Sequence, residues 1–402
     1  MPLDLQFVRS QFPALGNDWA FFDNAGGSQV LKTVADRISD YLLTTNVQIG
    51  ASYLISQKAS ERLAEARSRV ALLVNAAMPQ EIVFGPSTTI LMRFLAIAMA
   101  SQLSVGDEII LTNFDHESNI GPWLTLKDRG VVFKFWQIDP DSLVPNLEKL
   151  GQLMTKKTRL VCVTHASNIL GTINPIRQIA DFVHERGARI CVDGVALAPH
   201  RAIDVKAFDA DYYLFSFYKT YGPHFAMLYG RHDHLLELDG LYHYFYGKDK
   251  VPGKLEPGNP NYELAWGTAG IVDYFEKLGG GSGRGAICAA FDKIAKHESL
   301  IGESLLDWLR QRNGVRILGS DSSEESVRVP TISFTIDNYN AGDVVKNIDK
   351  SKIGIRHGDF HSRRLIEAVG LSPGGVIRVS MVHYNTLDEV DRLKSALKQA
   401  LQ

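Results

Sequence analysis

The stretch ARICVDGVALAPHRAIDVKAFDADYYLFSFYKTYGPH, residues 188–224, decides the fold. It holds two short apolar runs, ARICVD and YYLFSF, with a helix-length segment between them. Runs this apolar read as strands buried on both faces, and the crossover between them makes the pair parallel. The first run closes on Asp193, and Lys219 follows the second. In open parallel sheets, ligands bind beyond the C-terminal strand ends, which is where both residues fall.

The same rhythm extends upstream. EIVF (81–84), EIILT (108–112), VVFKFWQI (131–138) and RLVCVTH (159–165) read as further strands, while TILMRFLAIAMASQ and IRQIADFVHERG carry helical apolar spacing. Gly130 and Gly187 are placed as helix C-caps. The expected architecture is α/β, a mainly parallel sheet of the seven-stranded type sandwiched by helices. After residue 230 a Gly/Pro/Lys-rich loop leads to helices around 262–278 and 285–312, and the tail alternates strands and helices as a smaller α+β C-terminal domain. The expected division is an N-terminal segment, 1–20, packing with the small domain, a large domain, 21–285, and the small domain, 286–402.

Composition narrows the function. Of 402 residues, 43 are Lys or Arg and 45 Asp or Glu, so the net charge of −2 offers no footprint for a nucleic-acid backbone. The run ILMRFLAIAMA is broken by Arg93 and is too short for a membrane span, and MPLDLQFVRSQFPAL lacks the unbroken apolar core of a signal peptide. Cys162, Cys191 and Cys288 form neither a disulfide framework nor a C-x-x-C pair, which suits a reducing cytoplasm and leaves no metal site to expect.

The strand-end residues have two readings each. Lys219, among Phe217, Tyr218 and Tyr221, is a surface lysine or a desolvated amine able to form a Schiff base. Asp193 is a turn aspartate or the partner of a pyridinium nitrogen. Thr88 and Thr89, in GPSTTILM (85–92), cap a helix or hold a phosphate at its N-terminus. His116 either packs or stacks on an aromatic cofactor, and Asn168 stabilises a turn or orients a ligand.

Taken in order, FFDNAGG (21–27), STT (87–89), DHESNIGPW (115–123), HASNILGT (165–172), VDGVALAPHRAIDV (192–205), SFYKTYGP (216–223), LEPGNPN (255–261) and IRVSMVHYNT (377–386) resemble the class V aminotransferase superfamily, specifically cysteine-desulfurase-like proteins of pyridoxal-phosphate fold type I. The resemblance covers essentially the whole chain. It implies pyridoxal 5′-phosphate bound to Lys219, Asp193 at the ring nitrogen and His116 on the ring face. It places Thr88, Thr89, Ser216 and Tyr218 at the phosphate, Tyr218 standing where the family usually has His. Asn259 falls where a residue of the neighbouring subunit commonly reaches the phosphate, which implies a homodimer with shared sites. Arg378 would grip the substrate carboxylate, and Asn168 would orient substrate or cofactor.

Three positions depart from the family pattern. His361 stands where desulfurases carry their nucleophilic Cys, in Arg356-His357-Gly358-Asp359-Phe360-His361; Ala196 replaces a Gln; and Gln48-Ile49 replaces a His-Arg pair. Ordinary desulfurase chemistry needs a mobile thiolate, which this chain lacks at that position. The expected activity is therefore on an α-amino acid, a lyase-type β-elimination with His361 as acid/base, ahead of transamination and epimerisation. A dinucleotide-binding oxidoreductase would need a glycine-rich turn after a strand, but GGGSGRG (279–285) follows a helix. A non-catalytic cofactor-binding protein would have no use for Arg378.

Overall fold

The computed structural model describes residues 2–401. Seven strands form the central sheet in the order Ile82–Gly85, Ala226–Gly230, Tyr212–Ser216, Arg189–Asp193, Thr158–Thr164, Glu108–Thr112, Val132–Trp136. All neighbours are parallel except the two pairings of Ala226–Gly230, which runs against both flanking strands. The expected mainly parallel α/β sheet is therefore present, and the six strands anticipated from apolar runs all lie in it. The seventh, AMLYG, was not anticipated. It is a short return strand, hairpin-linked to Tyr212–Ser216, and its alanine and glycine ends weaken the strand signal.

Two buried clusters sandwich this sheet. One gathers Val161, Val163, Ile190, Val192, Tyr213 and Phe215 with helix residues such as Ile179 and Val183. The other takes the alternate side chains, Leu160, Cys162, Cys191, Tyr212 and Leu214, with Leu91 and Leu95 of the helix Thr88–Met99. Period-two alternation sends successive side chains to opposite faces, so both faces are apolar. Gly130 ends a short 3-10 turn at φ +82°, whereas the helix Ile176–His184 stops three residues before Gly187, which lies in the following turn at φ +76°.

The C-terminal region builds a four-stranded antiparallel sheet, Arg356–Gly358, Val376–Ser380, Thr331–Ile336, Val315–Leu318. The last of these is an unanticipated edge strand in which only Leu318 is fully buried. The long helix Gly283–Arg310 serves both cores: Ile287, Ala290 and Ile294 join the sheet cluster, while Ile301, Leu305 and Leu309 join the C-terminal one. Near the N-terminus, Ala20–Phe21 pairs with Ile353–Gly354 and Asp23 bridges to Ser380, so the chain enters the site between the two sheets.

Candidate active site

A cavity of about 490 Å³ opens at the C-terminal edge of the parallel strands. Its wall brings together Thr88, Thr89, His116, Asn168, Asp193, Ser216, Tyr218 and Lys219, eight expected residues from five separate chain segments. Ser87, Ser118, Thr164, Ala166, Val195 and Ala196 complete the lining. A pocket of this size suits a small aromatic cofactor with part of a substrate.

Each residue has a local reason for its position. Ser87 caps the helix Thr88–Met99 by accepting from the Ile90 N–H, so the first-turn amides face the cavity. The Thr88 and Ser216 hydroxyls lie 2.7 Å apart at this helix start, where the Thr88 N–H also donates to Ser216 Oγ at 3.4 Å, a cluster of donors that suits a phosphate. Asp193 ends its strand at 3% exposure. Its Oδ1 accepts from the Val195 N–H at 2.9 Å, while its Oδ2 has only the Ser118 hydroxyl at the 3.5 Å limit. Burial raises the pKa of this carboxyl against the opposing effects of the Val195 amide and Lys219. A buried carboxylate with one oxygen short of donors fits a protonated ring nitrogen.

Lys219 stands on a one-turn 3-10 helix after the strand Tyr212–Ser216. Burial, reinforced by Arg378, lowers its amine to about 8, against the pull of Asp193 and Asp23. A useful neutral fraction therefore exists near neutral pH. His116 is the N-cap of the turn Glu117–Asn119, and its Nδ1 accepts from the Ser118 N–H at 3.1 Å. That hydrogen bond assigns the ring proton to Nε2. Burial, with Lys219, His361 and Arg378 nearby, lowers this imidazole to about 3, so the ring is neutral and suited to stacking. Beneath it Asp115, raised by burial to about 7, accepts from Asn119 at 2.6 Å and from the Thr164 N–H at 3.0 Å.

The expected residues His361, Asn259 and Arg378 lie outside this wall. His361 is exposed on a charged groove with Glu117, Arg363 and Arg364, its ring centroid 5.3 Å from that of His116. Asn259, at φ +67°, lines a neighbouring cavity with Phe84, His224 and Pro260. Asn168 is held by the C-terminal region: its Nδ2 donates to the Phe360 carbonyl at 3.1 Å and its Oδ1 accepts from Ser362 at 2.9 Å. Arg378 is 2% exposed; Nη2 donates to Asp23 at 2.9 Å, Nη1 to the Asn168 carbonyl at 3.2 Å, and Phe360 covers the guanidinium at 3.7 Å. Ser118 and Asp23 were missed as site residues, although both sit inside quoted motifs. Among the described residues no group of His, Cys, Asp and Glu could hold a metal, and no helix is long and apolar enough to cross a membrane.

A parallel-sheet fold with a desolvated lysine, a donor-poor aspartate and a hydroxyl-lined helix start around one cavity defines the pyridoxal-phosphate class of enzymes. The chain belongs to the class V aminotransferase family, whose model (Aminotransferase class-V) matches residues 20–393. It is 46% identical to the aminotransferase-like protein FGM3 of Gibberella zeae, over 99% of this chain and 98% of that one. It is 35% identical to the cysteine desulfurase-like protein ustD of Aspergillus flavus, over 99% and 90%. The solved cysteine desulfurase CsdA of Escherichia coli is similar at 26% identity and a TM-score of 0.86, covering 100% of this chain and 99% of that one.

Proposed function

We propose that this member of the family acts on an α-amino acid as a lyase that eliminates a β-substituent without a cysteine nucleophile. One observation carries the reading: the cavity retains Lys219 and Asp193, while the position expected for a thiol holds His361. The three cysteines do not replace it. Cys162 and Cys191 are buried side by side on neighbouring strands, and Cys288 sits in the helix Gly283–Arg310.

The residues present fit the cofactor. Lys219 would hold it covalently, Asp193 would face its ring nitrogen, His116 would lie on its ring, and Thr88, Thr89, Ser216 and Tyr218 would hold its phosphate. When bound, the cofactor supplies a ring that withdraws electrons from the substrate Cα. Lys219 Nζ would take the α-proton, a role its lowered basicity suits, and the electrons of that C–H bond form the Cα–Cβ double bond as the β-group leaves. Arg378 binds the α-carboxylate. His361, at the outer end near His116, gives a proton to the leaving β-group as that group departs with the bonding electrons. Asn259 belongs to the phosphate end of the site in a second copy, and the working unit is a homodimer.

Transamination is the second reading, favoured by the 46% identity to a protein named aminotransferase-like. Incubation of the purified enzyme with an amino-acid panel separates the readings. Elimination gives α-keto acid with ammonia and no need of an amino acceptor, whereas transamination requires the acceptor. Alanine and persulfide from cysteine would overturn the cysteine-free reading.

A further inference from the structure

Arg378 and Asp23 come from opposite ends of the chain, and their ion pair at 2.9 Å joins the last strand of the C-terminal sheet to the turn after Ala20–Phe21. The arginine is 2% exposed and the aspartate 32%, so of the two it is the carboxylate that meets solvent. Arg356, at 59% exposure, brings a second guanidinium to within 3.8 Å of the other Asp23 oxygen. Among the described residues the buried Nε of Arg378 has no partner, which marks a donor without its acceptor.

The turn itself is shaped for this carboxylate. The Gly26 N–H closes it onto the Asp23 carbonyl at 2.9 Å. A Cβ at position 26 would fall 2.8 Å from Asp23 Oδ2 and 3.0 Å from its Cγ and Oδ1. Glycine there lets the carboxylate fold back over its own turn and still reach Arg378.

We propose that Asp23 is a resident carboxylate in the substrate-carboxylate subsite, a specificity-determining residue that an incoming carboxylate must displace from Arg378. The inference rests on the reading of Arg378 as the carboxylate grip. A plain carboxylic acid gains little by this exchange, because one carboxylate replaces another. An α-amino acid also engages the Lys219 end of the site, and the second attachment makes the exchange favourable. Asp23 thus selects amino acids against simple acids.

The test is calorimetric titration of the full-length, cofactor-loaded chain with propionate, for the natural sequence and for Asp23→Asn. The amide keeps the shape and an acceptor oxygen but removes the competing charge, so propionate is expected to bind about tenfold tighter or more. Unchanged or weaker binding overturns the proposal, since a residue that merely orients Arg378 gives weaker binding when lost. Asp23→Ser provides the same readout if the amide variant does not fold. Cofactor absorbance on the same samples reports the functional reading separately, and repeating the titration on cofactor-free chain reads Asp23 even if that reading fails.

Discussion

Replacing Asp193 with Asn should act with opposite sign on the empty and the loaded protein. In the cofactor-free chain the carboxyl is buried, and burial raises its folded pKa above the ordinary value of an aspartate. The folded state therefore holds the proton more tightly than the unfolded one. Stability from this group is fully present below the unfolded pKa and declines as pH rises toward the folded one. The neighbouring Asp115, raised to about 7, obeys the same sign, and its ionised form is disfavoured by roughly 4 kcal/mol at about 1.36 kcal/mol per pKa unit. Part of that comes from Asp193 itself, after burial, so the amide relieves both groups. Thermal unfolding of cofactor-free Asp193→Asn should show a midpoint raised by roughly 1–3 °C at pH 7 and unchanged near pH 4. Loaded enzyme should lose activity instead. Removing one partner of a buried charge pair costs about 3–5 kcal/mol, which corresponds to a fall in kcat of roughly 10²–10⁴-fold. Equal destabilisation at both pH values with proportionate loss of activity would show that Asp193 is structural, and unchanged kcat would refute its place at the ring nitrogen.

Purified protein should be yellow and should bleach with borohydride, and Lys219→Ala should carry no covalent cofactor by mass spectrometry. Because Lys219 titrates at about 8, the rate of cofactor capture by empty protein should rise about tenfold for each pH unit below that value and level off above it; a flat stopped-flow profile would place the amine elsewhere. His361→Ala should keep the cofactor spectrum while kcat falls by roughly 10²-fold, the usual scale for a lost acid/base group. Arg378→Lys should raise KM by about tenfold or more with little change in kcat, since lysine cannot reproduce the fork.

The central sheet was legible because strands covered on both faces need apolar residues at every position, and RICVD or EIILT supply that without relying on alternation. Ala226–Gly230 and Val315–Leu318 escaped for other reasons: the first is bounded by small residues, and the second is a short, half-buried edge strand interrupted by the exposed Arg316. At the site, strand-end position exposed Lys219 and Asp193. The Asp23–Arg378 pair could not be read from spacing, because the two residues are 355 positions apart and meet only when both sheets are in place. Ser118 was closer to hand: two residues after His116, on the turn that His116 caps, a hydroxyl falls within reach of the ring nitrogen. What hid it was its second neighbour, Asp193, which arrives from another strand.

Two supports of different origin meet at the cavity, and they constrain different parts of the chemistry. The parallel sheet supplies Asp193, Lys219, Ser216 and the helix start at Thr88, all fixed by strands with fully buried side chains. Groups held this rigidly suit a cofactor whose shape never changes. The C-terminal region supplies Arg378, Phe360 and His361, and the last two stand at φ +50° and +60°, a conformation that costs a bulky residue energy. The segment is tied down from the sheet side by Asn168, which bonds Phe360 and Ser362, and by the Glu117 amide, which donates to the His361 carbonyl at 2.8 Å. On the proposed reading, a change of residue on this tethered segment would alter what meets the substrate while the strand-end lysine, aspartate and hydroxyls keep their places. That separation accounts for a histidine at position 361, where the resemblance leads one to expect a thiol, beside an intact cavity wall of Lys219, Asp193, Thr88 and Ser216.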